Sequence, residues 1–158
     1  GATRIKIDSI GIGWGLIGML QMAAMRGEHV DDICEQEIDI SRCEIVGINV
    51  GSRATDPERF PRLRDQLWWE VGRELSKDRG WDLTNVDDHT IGQLIRPTWK
   101  PDLAGRHKVE SKPETMKRTN TKSPNEADAL LLAFCEPPNE DMEALVTYHE
   151  PVQIGPDY

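Results

Sequence analysis

Polar and apolar residues alternate from Arg4 through Ile7, and the run ends on Asp8 and Ser9. A glycine-rich stretch, Gly11-Ile-Gly-Trp-Gly15, follows and leads into an apolar segment reaching about Met25. This order predicts strand, tight turn and helix. A second β-branched run from Glu44 to Val50, closed by Gly51-Ser52, predicts a buried parallel strand, so the two strands and the helix between them form a βαβ unit. Asp56-Pro57 reads as a helix N-cap and first-turn proline, and Phe60, Leu63, Leu67, Trp68, Val71 and Leu75 follow at three- and four-residue steps. Adjacent Trp68 and Trp69 cannot share a helix face. Trp68 is expected in the core, with Trp69 at its margin or against a partner.

Asp87 or Asp88 can cap another helix running through Ile95. Trp99 to Val109, interrupted by Asp102-Leu-Ala-Gly105, predicts a hairpin carrying Lys100, Arg106, His107 and Lys108. Ser123-Pro124 is expected to open the last helix, with Ser123 as N-cap and Ala127, Leu130, Leu131 and Phe134 as its buried stripe. Pro137-Pro138 stops it. Residues 1–135 therefore read as one domain and 136–158 as an acidic, flexible tail, with a short helix around Met142 to Leu145. No internal repeat is present.

A chain of 158 residues with 37% apolar residues suits a single modest core. Its longest apolar stretches, such as Ala129 to Cys135, fall well short of the roughly 20 residues a bilayer crossing needs. Three cysteines, Cys34, Cys43 and Cys135, lack zinc-site spacing and read as reduced thiols, so a cytoplasmic setting is expected. The net charge of −9 argues at first against a nucleic-acid partner. Its distribution alters that conclusion. Gly27 to Asp39 holds six acids and no Lys or Arg, and the tail from Glu136 holds six more, again with no base. The remainder is +3, and Arg96 to Lys122 alone has eight bases against three acids. One face suits a polyanion, although charged runs also serve simply as solvated surface.

Gly13-Trp-Gly15-Leu-Ile-Gly18 matches the GxGxxG spelling of a dinucleotide turn, but the second strand ends Asn49-Val50-Gly51 without the acid such a fold uses on the ribose. The glycines are better read as allowing a sharp turn and a close helix. Asp8 is more informative. A carboxylate at the C-terminal end of an apolar strand stands where α/β proteins place ligands, and it needs a partner, a metal or solvent. Asp128 lies one turn into the last helix on the edge of an apolar stretch, with Asn125 three residues earlier on much the same face. An exposed acid near a helix N-terminus is the alternative reading of Asp128.

Four segments in order carry a resemblance: Ile7-Asp8-Ser-Ile-Gly-Ile-Gly13; Val46-Gly-Ile-Asn-Val-Gly51 with Asp56-Pro-Glu-Arg-Phe60 and Leu67-Trp-Trp69; Gly105-Arg-His-Lys-Val-Glu-Ser-Lys112; and Lys122-Ser-Pro-Asn-Glu-Ala-Asp-Ala-Leu130. Together they resemble the C-terminal nuclease domain of phage terminase large subunits, over residues 4 to about 135. The resemblance implies an α/β, ribonuclease H-like (integrase/resolvase-type) fold and an endonuclease cutting concatemeric viral DNA. Its carboxylates would hold Mg2+ or Mn2+ for two-metal phosphodiester hydrolysis. It implies Asp8 and Asp128 as metal-binding catalytic acids, with Asn125 beside the metal, and it implies double-stranded DNA as substrate. Lys100, Arg106, Lys108 and Lys112 would then hold the DNA backbone. The packaging-motor ATPase domain, the portal and the small terminase subunit are the implied partners, in the cytoplasm of the infected host. The family's first catalytic Asp lies on preceding strands that have no counterpart here, so the chain is expected to be a piece of that domain with weak or no activity alone. Asp31, Asp32 and Asp39 stand in an acidic, apolar-poor setting that does not suit them to replace that first Asp. A non-catalytic DNA-binding or assembly segment and a nucleotide-binding α/β module are the competing readings.

Overall fold

The computed structural model describes residues 3–26, 29–30, 38–77 and 82–136. The element order is β1 (Arg4–Asp8), α1 (Gly13–Arg26), β2 (His29–Val30), β3 (Ile38–Asp39), a 3-10 turn (Ile40–Arg42), β4 (Glu44–Ile48), α2 (Leu63–Leu75), α3 (Asp88–Leu94), β5 (Trp99–Pro101), β6 (His107–Val109), α4 (Lys112–Thr119) and α5 (Asn125–Phe134). Asp31 and Asp32, and the tail from residue 137 with its expected helix around Met142, lie outside the described residues, as does the side chain of Asp39.

Strands β1 and β4 pair in parallel, with Lys6 opposite Val46 and Asp8 opposite Ile48, as the βαβ pattern predicts. The ladder extends one bond further, from Ser9 N to Ile48 O at 2.9 Å. Because side chains alternate along a strand, Lys6, Asp8, Val46 and Ile48 share one face. On that face Val46 and Ile48 are buried with Leu63 and Leu67 of α2 and with Leu132 and Cys135 at the end of α5. Lys6 Nζ donates to the carbonyls of Ala133 (3.0 Å) and Cys135 (2.6 Å), so a strand cation satisfies the open C-terminus of α5. Burial pushes the Cys135 thiol up to about 11, so it is a packing group and not a nucleophile.

The glycine-rich turn serves the entry to α1. Gly11 takes φ +66°, and a Cβ on Gly13 would lie 1.7 Å from the carbonyl oxygen of Asp8. Gly15 and Gly18 have nothing within 4 Å. The close approach of α1 to the end of β1 therefore accounts for the one glycine in the motif that no other residue can replace.

Helix α2 begins later than Asp56-Pro57 predicts. The residue before a proline is driven out of the helical region, so Phe60-Pro61 delays the start until Arg62, which is extended (φ −141°, ψ 160°) and takes the N-cap position. Asp56 instead closes its own turn, accepting from Phe60 N at 3.0 Å. The first amides of α2 are satisfied by the chain leaving β4: Leu63 N donates to Ser52 O and Arg64 N to Val50 O. The last helix also starts one residue later than expected, with Pro124 at the cap and no side-chain cap from Ser123. Its amides are capped from elsewhere, because buried Gln93 of α3 accepts from Glu126 N and Ala127 N, both at 3.1 Å. Asp87 is the cap of α3, accepting from Thr90 N at 2.9 Å. Trp68 is buried as expected. Trp69 stacks on His107 at a centroid distance of 3.9 Å, with Trp99 edge-on to it at 4.8 Å.

Candidate functional site

The face shared by Lys6 and Asp8 points at α5, and this brings together carboxylates 120 positions apart. Asp8, Asp128, Lys112 and Arg64 line one small cavity of about 20 Å³, walled by Val50, Leu67, Trp68, Leu131 and Leu132. That volume holds about one water. The cavity adjoins a wide cleft of about 990 Å³ that Asp8, Val50, Arg64 and Lys112 also line. Each acid is placed by a different device. Asp8 Oδ1 accepts from Ile10 N at 3.1 Å, so its own turn orients it. Asp128 is set one turn into α5, and Lys112 Nζ lies 2.7 Å from its Oδ2. That contact lacks hydrogen-bond geometry and is a Coulombic pair.

Lys112 reaches the cavity through an element that hydrophobic periodicity does not reveal. Ser111-Lys-Pro-Glu114 forms a capping box: Ser111 Oγ accepts from Glu114 N, and Glu114 Oε2 accepts from Ser111 N at 2.9 Å. The result is helix α4, with Lys112 as its first residue. The Ser-x-x-Glu spacing with Pro113 was the available signal. Glu110, just before it, accepts from Arg118 Nε (2.9 Å) and Nη2 (2.8 Å), from Thr115 Oγ1, and from Thr98 N. The Arg118 hydrogen bond foremost holds the Glu110 carboxyl down to about 2. The backbone carbonyl of Glu110 accepts from Arg64 Nη1 at 3.1 Å. One acid outside the cavity thus clamps α4 through Thr115 and Arg118, and its carbonyl anchors Arg64.

The predicted hairpin is present, with Lys100 opposite Lys108 in the β5–β6 register. Buried Asp65 ties it to α2 by accepting from Val109 N at 2.9 Å, and His107 N donates to Arg59 O at 2.7 Å. The four candidate DNA-binding cations separate into different settings. Lys100 and Lys108 are exposed and line a groove with Thr98, Trp99 and Glu114. Arg106 faces the wide cleft but is held by Asp102, with Nε 2.8 Å and Nη2 2.7 Å from Oδ2. Lys112 belongs with the acids. Asn125 is exposed at the start of α5 and does not line the cavity.

Two carboxylates around a water-sized space offer hard oxygen donors of the kind Mg2+ and Mn2+ take, and the ammonium against Asp128 marks where positive charge is already favoured. Asp8 and Asp128 are the side chains of this cavity that could hold a divalent ion. Among the described residues no group of three or more His, Cys, Asp or Glu is placed to hold a metal.

No protein-family model matches the sequence, and neither does any curated protein. Solved structures do. The nuclease domain of the large terminase subunit of bacterial virus Sf6 matches with a TM-score of 0.66 and 17% sequence identity, over 87% of this chain and 67% of that one. Point-mutant structures of the same domain with manganese, and with manganese and β-thujaplicinol, match to the same extent. The fold is that of a terminase nuclease domain. The α/β, ribonuclease H-like class expected from the four ordered segments is therefore present, and the chain spans about two thirds of the length of those neighbours. In this ribonuclease H-like frame Asp8 ends the first strand of the parallel pair, and Asp128 faces it from the helix packed on the same side of the sheet.

Arg64 is the cavity residue that sequence reasoning missed. Its only signal was a base two residues into the apolar stripe of α2, four before Trp68, over whose ring it lies 5.8 Å from the centroid.

Proposed function

We propose that this chain is the endonuclease unit of a phage DNA-packaging terminase, cutting double-stranded DNA with a divalent metal held by Asp8 and Asp128. The convergence of these two acids on one cavity, in a fold shared with the Sf6 nuclease domain, is the observation that carries the reading. Manganese and calcium occur in structures of that neighbour, which supports Mg2+ or Mn2+ as the ion here. Bound between the acids, the ion would supply a Lewis acid for the phosphodiester and lower the pKa of a bound water. The chain's own residues would do the rest. Asp8 and Asp128 hold the ion, and Lys112 neutralises Asp128 until it arrives. The exposed pair Lys100 and Lys108 meets backbone phosphates without reading bases. Arg106, locked to Asp102, shapes the hairpin and lends its charge to the cleft. Asn125 is outside the cavity and would act at most through water. The packaging-motor ATPase, portal and small terminase subunit are the partners such a unit would serve, in the cytoplasm of the infected host.

The test is conversion of supercoiled plasmid by the chain in Mn2+ or Mg2+. Slow nicking is expected, abolished by a chelator and reduced at least about a hundredfold by Asp8→Asn or Asp128→Asn, since losing several kcal/mol of charge stabilisation removes two or more decades of rate. Undiminished nicking by both variants would overturn the assignment. A second reading, a DNA-binding segment that does not cut, is favoured by one observation: the described residues place two acids together, not three. DNA retention without metal-dependent nicking is its outcome.

A further inference from the structure

Arg64 spends only part of its hydrogen-bonding capacity. Its Nη1 donates to Glu110 O, while Nε and Nη2 are shielded from bulk water and have no partner. A buried guanidinium N–H left unbonded is expensive, and folded proteins keep such groups where a ligand satisfies them. Burial lowers the pKa of Arg64, while the charges of Asp128 and Asp65 act in the opposite sense. The side chain is held on two sides, by the Glu110 carbonyl and by the Trp68 ring, and it lines both the small cavity and the wide cleft.

Charge around the cavity points to the kind of ligand. Asp8 and Asp128 are balanced by Arg64 and Lys112, so the four side chains sum to zero. Adding a divalent cation leaves a surplus of two positive charges beside two unused N–H donors. A phosphodiester is an anion whose two non-bridging oxygens accept such donors, and a planar guanidinium is suited to bind them side by side. We propose that Arg64 is a substrate-contacting residue, donating Nε–H and Nη2–H to the non-bridging oxygens of a DNA phosphate that enters from the wide cleft beside Asp8. This rests on the endonuclease reading and adds the group that fixes the phosphate. A desolvated guanidinium so placed strengthens as negative charge builds on the phosphate, so it favours the transition state over the bound substrate.

The experiment separates metal from DNA. Ca2+ is titrated into the chain alone by calorimetry, and a short DNA duplex is titrated by fluorescence anisotropy in Ca2+ at several salt concentrations, for the wild type, Arg64→Gln, Arg64→Lys and Asp8→Asn. Arg64→Gln is expected to weaken duplex binding about tenfold or more and to flatten the salt dependence by about one unit of slope. Ca2+ affinity without DNA should hold or rise, since a positive charge near Asp128 has been removed. Arg64→Lys should recover the slope but only part of the affinity, because an ammonium lacks the planar fork. Parallel loss of Ca2+ and duplex binding in both Arg64 variants would make Arg64 a packing residue and overturn the proposal. Wild-type duplex affinity in Arg64→Gln would do the same. If Asp8→Asn still shows wild-type Ca2+ and duplex binding, the endonuclease reading itself falls. If that variant loses Ca2+ binding while Arg64→Gln binds the duplex normally, only the role of Arg64 falls.

Discussion

Helices α1 and α5 are both rich in apolar residues, yet they lie in opposite circumstances. In α5 the residues Ala127, Leu131 and Leu132 are buried against α2, the hairpin and β4. In α1 only Ile17 is buried, while Leu16, Met19, Met22 and Met25 are exposed, with Ile12 and Trp14 beside them. Among the described residues no element covers that stripe. The difference lies in what holds each helix from outside itself. Gln93 caps the first amides of α5, and Lys6 receives its last carbonyls. By contrast, α1 lies against β1, β4 and the 3-10 turn, and its tightest backbone approach is that of Gly13 to the Asp8 carbonyl. Apolar content brings a helix toward a sheet, and in α5 long-range polar bonds at both ends add to that packing.

Four substitutions test this contrast, and the largest effect is expected where α1 meets the end of β1. Gly13→Ala would drive a methyl group into the Asp8 carbonyl at 1.7 Å, a backbone collision that no rotamer relieves. A loss of about 4 kcal/mol or more is expected, seen as absence of a cooperative denaturant transition. A variant that unfolds like the wild type would show that the turn yields easily and that α1 is not anchored there. Next comes Leu131→Ala, which removes a side chain 3% exposed from the cluster of Trp68, Val71, Val109 and Ala127. Chemical denaturation should show a loss of about 2–5 kcal/mol. A smaller loss would mean that α5 is packed no better than α1.

Gln93→Ala should destabilise by about 1–2 kcal/mol, because two amides of α5 lose their acceptor inside the fold. Amide hydrogen exchange supplies a sharper readout: Glu126 and Ala127 should exchange faster while α1 is unaffected. Uniform acceleration across both helices would erase the distinction between them.

The sequence made the βαβ unit, the hairpin and the capped α3 legible, because each rests on local patterns. Arg4 to Asp8 alternates, Asp102 to Gly105 turns, and Asp87 caps its own helix. Asp8 and Asp128 stand out in the sequence as carboxylates in apolar surroundings and through the four ordered segments, and the structure brings both to one cavity. The structure differs where a neighbour in space or a proline decides. Pro61 postpones α2, and Gln93, 30 residues away, does the capping assigned to Ser123. Short α4 has too few apolar positions for periodicity and is marked only by its capping box. Arg106, a candidate for the DNA backbone, is paired with Asp102 of the same turn. Arg64 was invisible because its meaning depends on Glu110, Trp68 and Asp128 converging on it, and no window of sequence contains all four.

The smallest effect is expected on the exposed stripe. Met19 is 71% exposed, and Met19→Gln removes apolar surface that is already in water, so stability should change by no more than about 0.5 kcal/mol. Helix propensity does not oppose the change, since Gln and Met are nearly equal in it. The denatured ensemble exposes this position much as the folded chain does, so burial has little to lose. A denaturant midpoint within experimental scatter of the wild type, beside the large loss from Leu131→Ala, would establish that comparable apolar character stabilises one helix and not the other. A loss above about 1 kcal/mol would instead show that Met19 is covered in solution, and light scattering of the same samples would reveal whether a second molecule supplies the cover.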